Sequence, residues 1–150
     1  MIHVDIASPQ ETVPIDRPKM RDAVRRVLQE EEVGNARISL AFVDNPTIQQ
    51  LNQRYLEHNE PTDVLSFPLS EGSLSPLQGE LVIGAEVAKE QAAARGHDVQ
   101  IELILYVIHG LLHLCGHDDS EPSARAEMRK REKHYLAALG LPDIAPSDDD

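Results

Sequence analysis

His109 and His113 stand four residues apart in an apolar stretch, VQIELILYVIHGLLHLC (99–115), and Gly116 and Asp119 follow shortly after. Residues i and i+4 of a helix share a face, so the two imidazoles project together. Neutral imidazoles so placed can reach one divalent ion, zinc first among them. Gly116 falls where a helix typically ends in a left-handed turn. The reversed chain would then let Asp119 supply a third ligand, through oxygen. Three protein ligands leave a fourth position for water, the catalytic rather than the structural arrangement. His117 is the rival third ligand, softer and nearer, but it would still lie inside the turn; the two residues between Gly116 and Asp119 favour the aspartate. The bland alternative is a pair of hydrogen-bonded core histidines. Left unpartnered, buried imidazoles would cost about 1–3 kcal/mol each, so a metal is the better account.

The spacing H-x-x-x-H-x-x-G-x-x-D follows the zincin layout, with aspartate where histidine normally closes the set. Gly110 occupies the place of the glutamate that serves H-E-x-x-H peptidases as general base. Glu102, Tyr106, His109 and His113 form one stripe along the same helix, at spacings of four, three and four. Glu102 is expected to emerge to solvent at the helix start; the sharper alternative is that Glu102 or Tyr106 lines a cleft leading to the metal. Cys115, without a second cysteine, reads as plain core.

These residues need a scaffold, and the chain offers one domain's worth. Its 150 residues are 41% hydrophobic and 27% charged, an ordinary globular balance. IHVDIA (2–7) and ARISLAFVD (36–44) read as strands, as do TDVLSFPL (62–69) and GELVIGAEV (79–87), the last two as a hairpin or neighbouring pair. KMRDAVRRVLQEEEV (19–33), NPTIQQLNQRYL (45–56), AEVAKEQAAARG (85–96), the apolar 99–115 and EPSARAEMRKREKHYLAALG (121–140) read as helices. Ile48, Leu51 and Tyr55 would face the core. The expected class is α+β, or mixed α/β: a single domain with a small mixed sheet of about four strands packed against about five helices, one of them a buried metal-carrying helix.

One cysteine excludes an intramolecular disulfide and suits a reducing compartment. The start MIHVDIASPQ lacks the pattern of a secretory signal, and no stretch has the roughly 18 apolar residues of a membrane span. A cytoplasmic protein without a membrane partner is expected. The formal net charge of −12 argues against tight, non-specific nucleic-acid binding, which depends on basic patches.

HGLLHLCGHDD (109–119), PTDVLSFP (61–68), LNQRYL (51–56) and GELVI (79–83) together resemble the YbeY family of rRNA maturation endoribonucleases, over essentially residues 2–140. The resemblance implies one YbeY-like domain over 1–150, in which 141–150 read from their own residues as a flexible acidic tail. It implies a metal-dependent, single-strand-specific endoribonuclease acting in rRNA 3′-end maturation and ribosome quality control, with one zinc ion on His109, His113 and Asp119. The implied partners are ribosomal RNA and the small ribosomal subunit with its proteins, and not DNA. Two departures stand out. Asp119 replaces the family's third histidine, with His117 where tyrosine is usual, and Leu56 stands where an arginine frequently supplies a phosphate contact.

The missing glutamate fits this substrate. Zinc-bound water can approach pKa 7, and a phosphodiester can be polarised directly by a metal, so the catalytic group is expected to be that water rather than a side chain. Asp63 and Ser66 are cleft candidates, or else a turn cap and a small strand residue. Basic residues for RNA could come from Lys19, Arg21, Arg25 and Arg26, or from Arg125, Arg129, Lys130 and Arg131, although acids interrupt both runs and a solvated face is the plainer reading. The rival functions are a degenerate zinc metallopeptidase and a non-enzymatic ribosome-assembly factor with a structural metal.

Overall fold

Ile2, Val4 and Ile6 turn inward while His3 and Asp5 are exposed, the period-two pattern that makes β1 (Ile2–Ala7). A computed structural model describes residues 1–56, 62–70, 76–117 and 119–145 of the chain. It pairs β1 in parallel with β2 (Ala36–Val43), and β2 in parallel with β4 (Leu77–Gly84). β3 (Val64–Pro68) runs antiparallel to β4, giving the order β1-β2-β4-β3. This is the expected α+β domain, with a four-stranded mixed sheet and five helices.

α1 (Arg17–Glu30) begins two residues before the expected start, because Asp16 accepts from the Lys19 amide at 3.2 Å and Pro18 occupies the first turn. Its Met20, Val24, Val27 and Leu28 are fully buried. α2 (Asn45–Leu56) starts where Asp44 Oδ1 accepts from the Thr47 amide at 3.0 Å. Ile48 is buried as expected and Leu51 partly so, but Tyr55 is 54% exposed, its ring edge-on to Phe67 at 5.4 Å. Tyr55 lies in the last turn of α2, beside Phe67 of the edge strand β3, which leaves much of its ring exposed. The Leu56 side chain and Pro61 lie outside the described residues.

α3 (Ala85–Arg95) closes at Gly96, whose φ of 74° is left-handed. α4 (Val99–Leu114) begins where Asp98 accepts from the Gln100 amide at 2.7 Å, and it is buried on nearly every side. It packs on α1, α3, α5 (Pro122–Ala138) and the β3–β4 pair. Each core side chain it buries completely, such as Leu103, Ile108 and Leu111, stabilises the fold by about 1.5–3 kcal/mol.

Two glycines let α4 lie close to the sheet. A Cβ at Gly79 would fall 2.6 Å from Leu114 Cδ1, and one at Gly110 would fall 2.8 Å from Leu81 Cδ2. Just beyond α5, Ile144 is buried, and its carbonyl accepts from Arg95 Nη2. Residues 146–150 of the expected tail lie outside the described residues. Among the described residues no helix is long and apolar enough to cross a membrane.

Candidate metal centre

One turn of α4 separates His109 from His113 and brings their Nε2 atoms to 3.1 Å. After Cys115 the helix ends in a Schellman turn. Gly116 takes φ 97°, its amide donates to the His113 carbonyl at 3.0 Å, and the His117 amide donates to the Leu112 carbonyl at 2.9 Å. The returning chain sets Asp119 Oδ2 at 3.4 Å from His109 Nε2 and 3.6 Å from His113 Nε2. Four ligands at the 2.0–2.1 Å usual for zinc would lie roughly 3.3 Å apart along each tetrahedral edge. The three atoms are therefore spaced to hold one ion of that size, and all three residues are half-buried.

His117 faces elsewhere. Its Nε2 lies 2.6 Å from Glu31 Oε1, while Glu31 Oε2 accepts from Arg131 at 2.8 Å and from the Tyr135 hydroxyl at 2.5 Å. Of the two possible third ligands, the geometry brings Asp119 to the pair and gives His117 to α1. Asp118 lies outside the described residues.

Behind the pair stands a residue the sequence reading missed. Glu132 of α5 is fully buried, and its Oε1 lies 3.4 Å from His109 Nδ1. Arg129 donates to both of its oxygens, at 2.7 and 3.0 Å. A carboxylate on Nδ1 keeps a proton there and leaves Nε2 free for a metal. Burial pulls the His109 pKa down, but Glu132, with help from Asp63 and Asp119, outweighs it and holds the imidazole above its usual value. A signal was present: Glu132 sits in register with Met128, Tyr135 and Leu136 on the buried stripe of α5.

Beside the ligands opens a cavity of about 490 Å³. Val87, Gln91 and Arg95 form its α3 wall, and Glu102, Leu105, Tyr106 and His109 its α4 wall; Thr62 and Asp63 close one side, Asp119, Arg129 and Glu132 the other. Glu102 does not emerge to solvent. It is 1% exposed, with His97 Nε2 at 2.7 Å and Arg95 Nη1 at 3.4 Å on the same carboxylate oxygen. Burial, then Glu102 and Asp63, push the Tyr106 phenol far above its usual range, so it stays protonated. Of the lining groups, Asp63, Glu102, Asp119 and Glu132 are acidic and Arg95 and Arg129 basic. Four negative against two positive leaves a formal excess of two, which one divalent cation would balance.

Asp63 lines the cavity, and its Oδ1 accepts from the Val64 amide at 2.7 Å. Ser66 is not among the lining residues; its hydroxyl donates to the Gly110 carbonyl at 3.3 Å, tying β3 to α4. Cys115 packs partly buried against the core, and burial, then Glu31, push its thiol up to about 11. Of the two basic runs only Arg129 reaches the cavity, whereas Lys19, Arg26 and Arg131 pair with acids on the surface of α1 and α5. Arg95 and His97 went unnoticed in the sequence because they flank an unremarkable helix end, and Gln91 because nothing sets it apart within α3.

A buried helix offering two imidazoles to a returning carboxylate, at the mouth of a polar cavity in a small α+β domain, defines a class of metal-binding site. Residues 5–140 match the family described as Endoribonuclease YbeY. The chain is 41% identical over 140 residues to Endoribonuclease YbeY of Carboxydothermus hydrogenoformans, covering 91% of this chain and 97% of that protein. It is 39% identical over 142 residues to Endoribonuclease YbeY of Syntrophus aciditrophicus, covering 91% and 89%. The solution structure of TM1509 from Thermotoga maritima superposes with a TM-score of 0.65 at 26% identity, covering 93% of this chain and 89% of that one. This chain belongs to the YbeY endoribonuclease family.

Proposed function

We propose that the chain is a metal-dependent endoribonuclease that hydrolyses phosphodiester bonds in single-stranded RNA. Its setting is the cytoplasm, in rRNA 3′-end maturation and ribosome quality control, with the small ribosomal subunit and its proteins as partners. The observation that carries the reading is the convergence of His109, His113 and Asp119, ligand atoms 3.1–3.6 Å apart, at the edge of the cavity in a member of this family. One zinc ion suits two imidazoles and a carboxylate. When bound, such an ion supplies Lewis acidity to the phosphodiester and to the attacking water.

The protein's own groups do the rest. Glu132 holds the His109 proton at Nδ1, Arg129 neutralises Glu132, and the Tyr106 phenol remains a hydrogen-bond donor in the cavity. The position after His109 faces Leu81 and Ser66 rather than the cavity. A glutamate base has no place there, which weighs against a peptidase.

The test is zinc-loaded protein mixed with one RNA oligonucleotide, as single strand and as duplex, with and without chelator. Cleavage of the single strand that chelation abolishes and zinc restores is expected. Cutting that survives chelation would contradict the metal dependence. A protein that cuts peptides and not RNA would revive the peptidase. One that cuts neither, and melts when its metal is removed, would be the assembly factor.

A further inference from the structure

Besides the metal ligands, the cavity is lined by groups of a different chemistry. Apart from Asp119, Arg129 and Glu132, its charged groups are Asp63, Glu102 and Arg95, formally one negative charge in excess, which disfavours a backbone phosphate not held by the ion. Glu102 is spent on Arg95 and His97, and Arg95 also donates to the Ile144 carbonyl. Those groups stiffen the wall. What remains is apolar surface with hydrogen-bonding edges: Val87, Leu105 and the Tyr106 ring offer apolar surface, while Gln91 and Asp63 offer polar groups. Asp63 uses Oδ1 for the Val64 amide and the Thr62 hydroxyl, at 2.7 and 3.4 Å. Among the described residues no hydrogen bond occupies its second oxygen, which leaves it as an acceptor. The volume lies within the roughly 300–1,000 Å³ of small-molecule sites.

We propose that this part of the cavity seats the unstacked base next to the cleaved phosphodiester, and that Asp63 selects a base bearing an exocyclic amine, adenine, cytosine or guanine, over uracil. Asp and Glu accept from the cytosine N4 amine, and Gln pairs with adenine through its amide. Uracil turns a carbonyl oxygen to the same place and meets the carboxylate's like charge. A base can enter only when splayed from its neighbours, which single-stranded RNA permits and a duplex does not. The inference rests on the endoribonuclease reading.

The experiment uses zinc-loaded protein and short single-stranded RNAs that differ in one nucleotide, placed in turn on each side of the cut. One flanking position is expected to prefer adenine or cytosine over uracil by about five-fold or more. Asp63→Asn keeps an oxygen for the Val64 amide but adds a donor, so it should erase or reverse that preference at an unchanged melting temperature. A wild type indifferent to both flanking bases, or an Asp63→Asn variant with the same preference, would overturn the proposal.

If the wild type cut none of these RNAs, the endoribonuclease reading would fall by itself, and nucleoside titrations would still judge the pocket. Cytidine or adenosine should shift the Gln91 side-chain amide resonances more than uridine does, and lose that advantage in Asp63→Asn. Equal or absent shifts would overturn it.

Discussion

The Nδ1 atom of His109 and the Glu132 carboxylate, 3.4 Å apart, join α4 to α5 behind the ligands. Glu132→Gln keeps the size and the Arg129 contact but loses the charge that holds the proton on Nδ1. Zinc affinity should fall by about 10- to 100-fold, read by competition with a chromophoric chelator; an unchanged affinity would make Glu132 a packing residue only. Gly110 carries the opposite lesson. Its Cβ direction meets Leu81 Cδ2 at 2.8 Å and Ser66 Oγ at 3.2 Å, so Gly110→Glu would drive a carboxylate into the helix–sheet contact. That should cost about 3 kcal/mol or more in urea unfolding and yield no peptidase. The glycine was visible in the sequence as a missing base; that it is also a close approach required the sheet beneath it.

At the scale of elements, the turn after α4 is held to α1 and α5 through Glu31, which His117, Arg131 and Tyr135 all contact. Burial would raise the Glu31 pKa, but the hydrogen bonds from Tyr135 and His117, with the charge of Arg131, bring it below the ordinary 4.5. A depressed carboxylate pKa gives stability that is present above the unfolded value and lost as pH falls through the folded one. Glu31→Gln should therefore lose roughly 1–3 kcal/mol at neutral pH and converge with the wild type once pH has fallen through the depressed folded pKa. Parallel stability curves across that range would show that the cluster contributes nothing specific.

The elements themselves were legible from period two and period 3.6, and the α4 turn from Gly116. Glu102 was misread because its partners, His97 and Arg95, arrive from the α3–α4 corner, a meeting no periodicity announces. Tyr55 was misread because helical spacing says which face it is on and not whether that face has anything to pack against.

Across the whole molecule, α4 packs against α1, α3, α5, β3 and β4 and carries His109 into the wall of a cavity formed mainly by α3 and α4, with His113 one turn further on and α5 and the start of β3 at the cavity's sides. The ligand pair was readable because it depends on one helix. The cavity was not, since it exists only once four elements are assembled. The acidic excess among the lining groups makes sense if a cation sits among those carboxylates.

The most direct measurement is zinc content after exhaustive dialysis of the wild type and of Asp119→Ala and His117→Ala. The wild type and His117→Ala should each keep about one equivalent, and Asp119→Ala should lose most of it, because Asp119 lies within 3.6 Å of both imidazoles and His117 faces Glu31. An ion retained by Asp119→Ala and lost from His117→Ala would contradict the metal centre described for this protein.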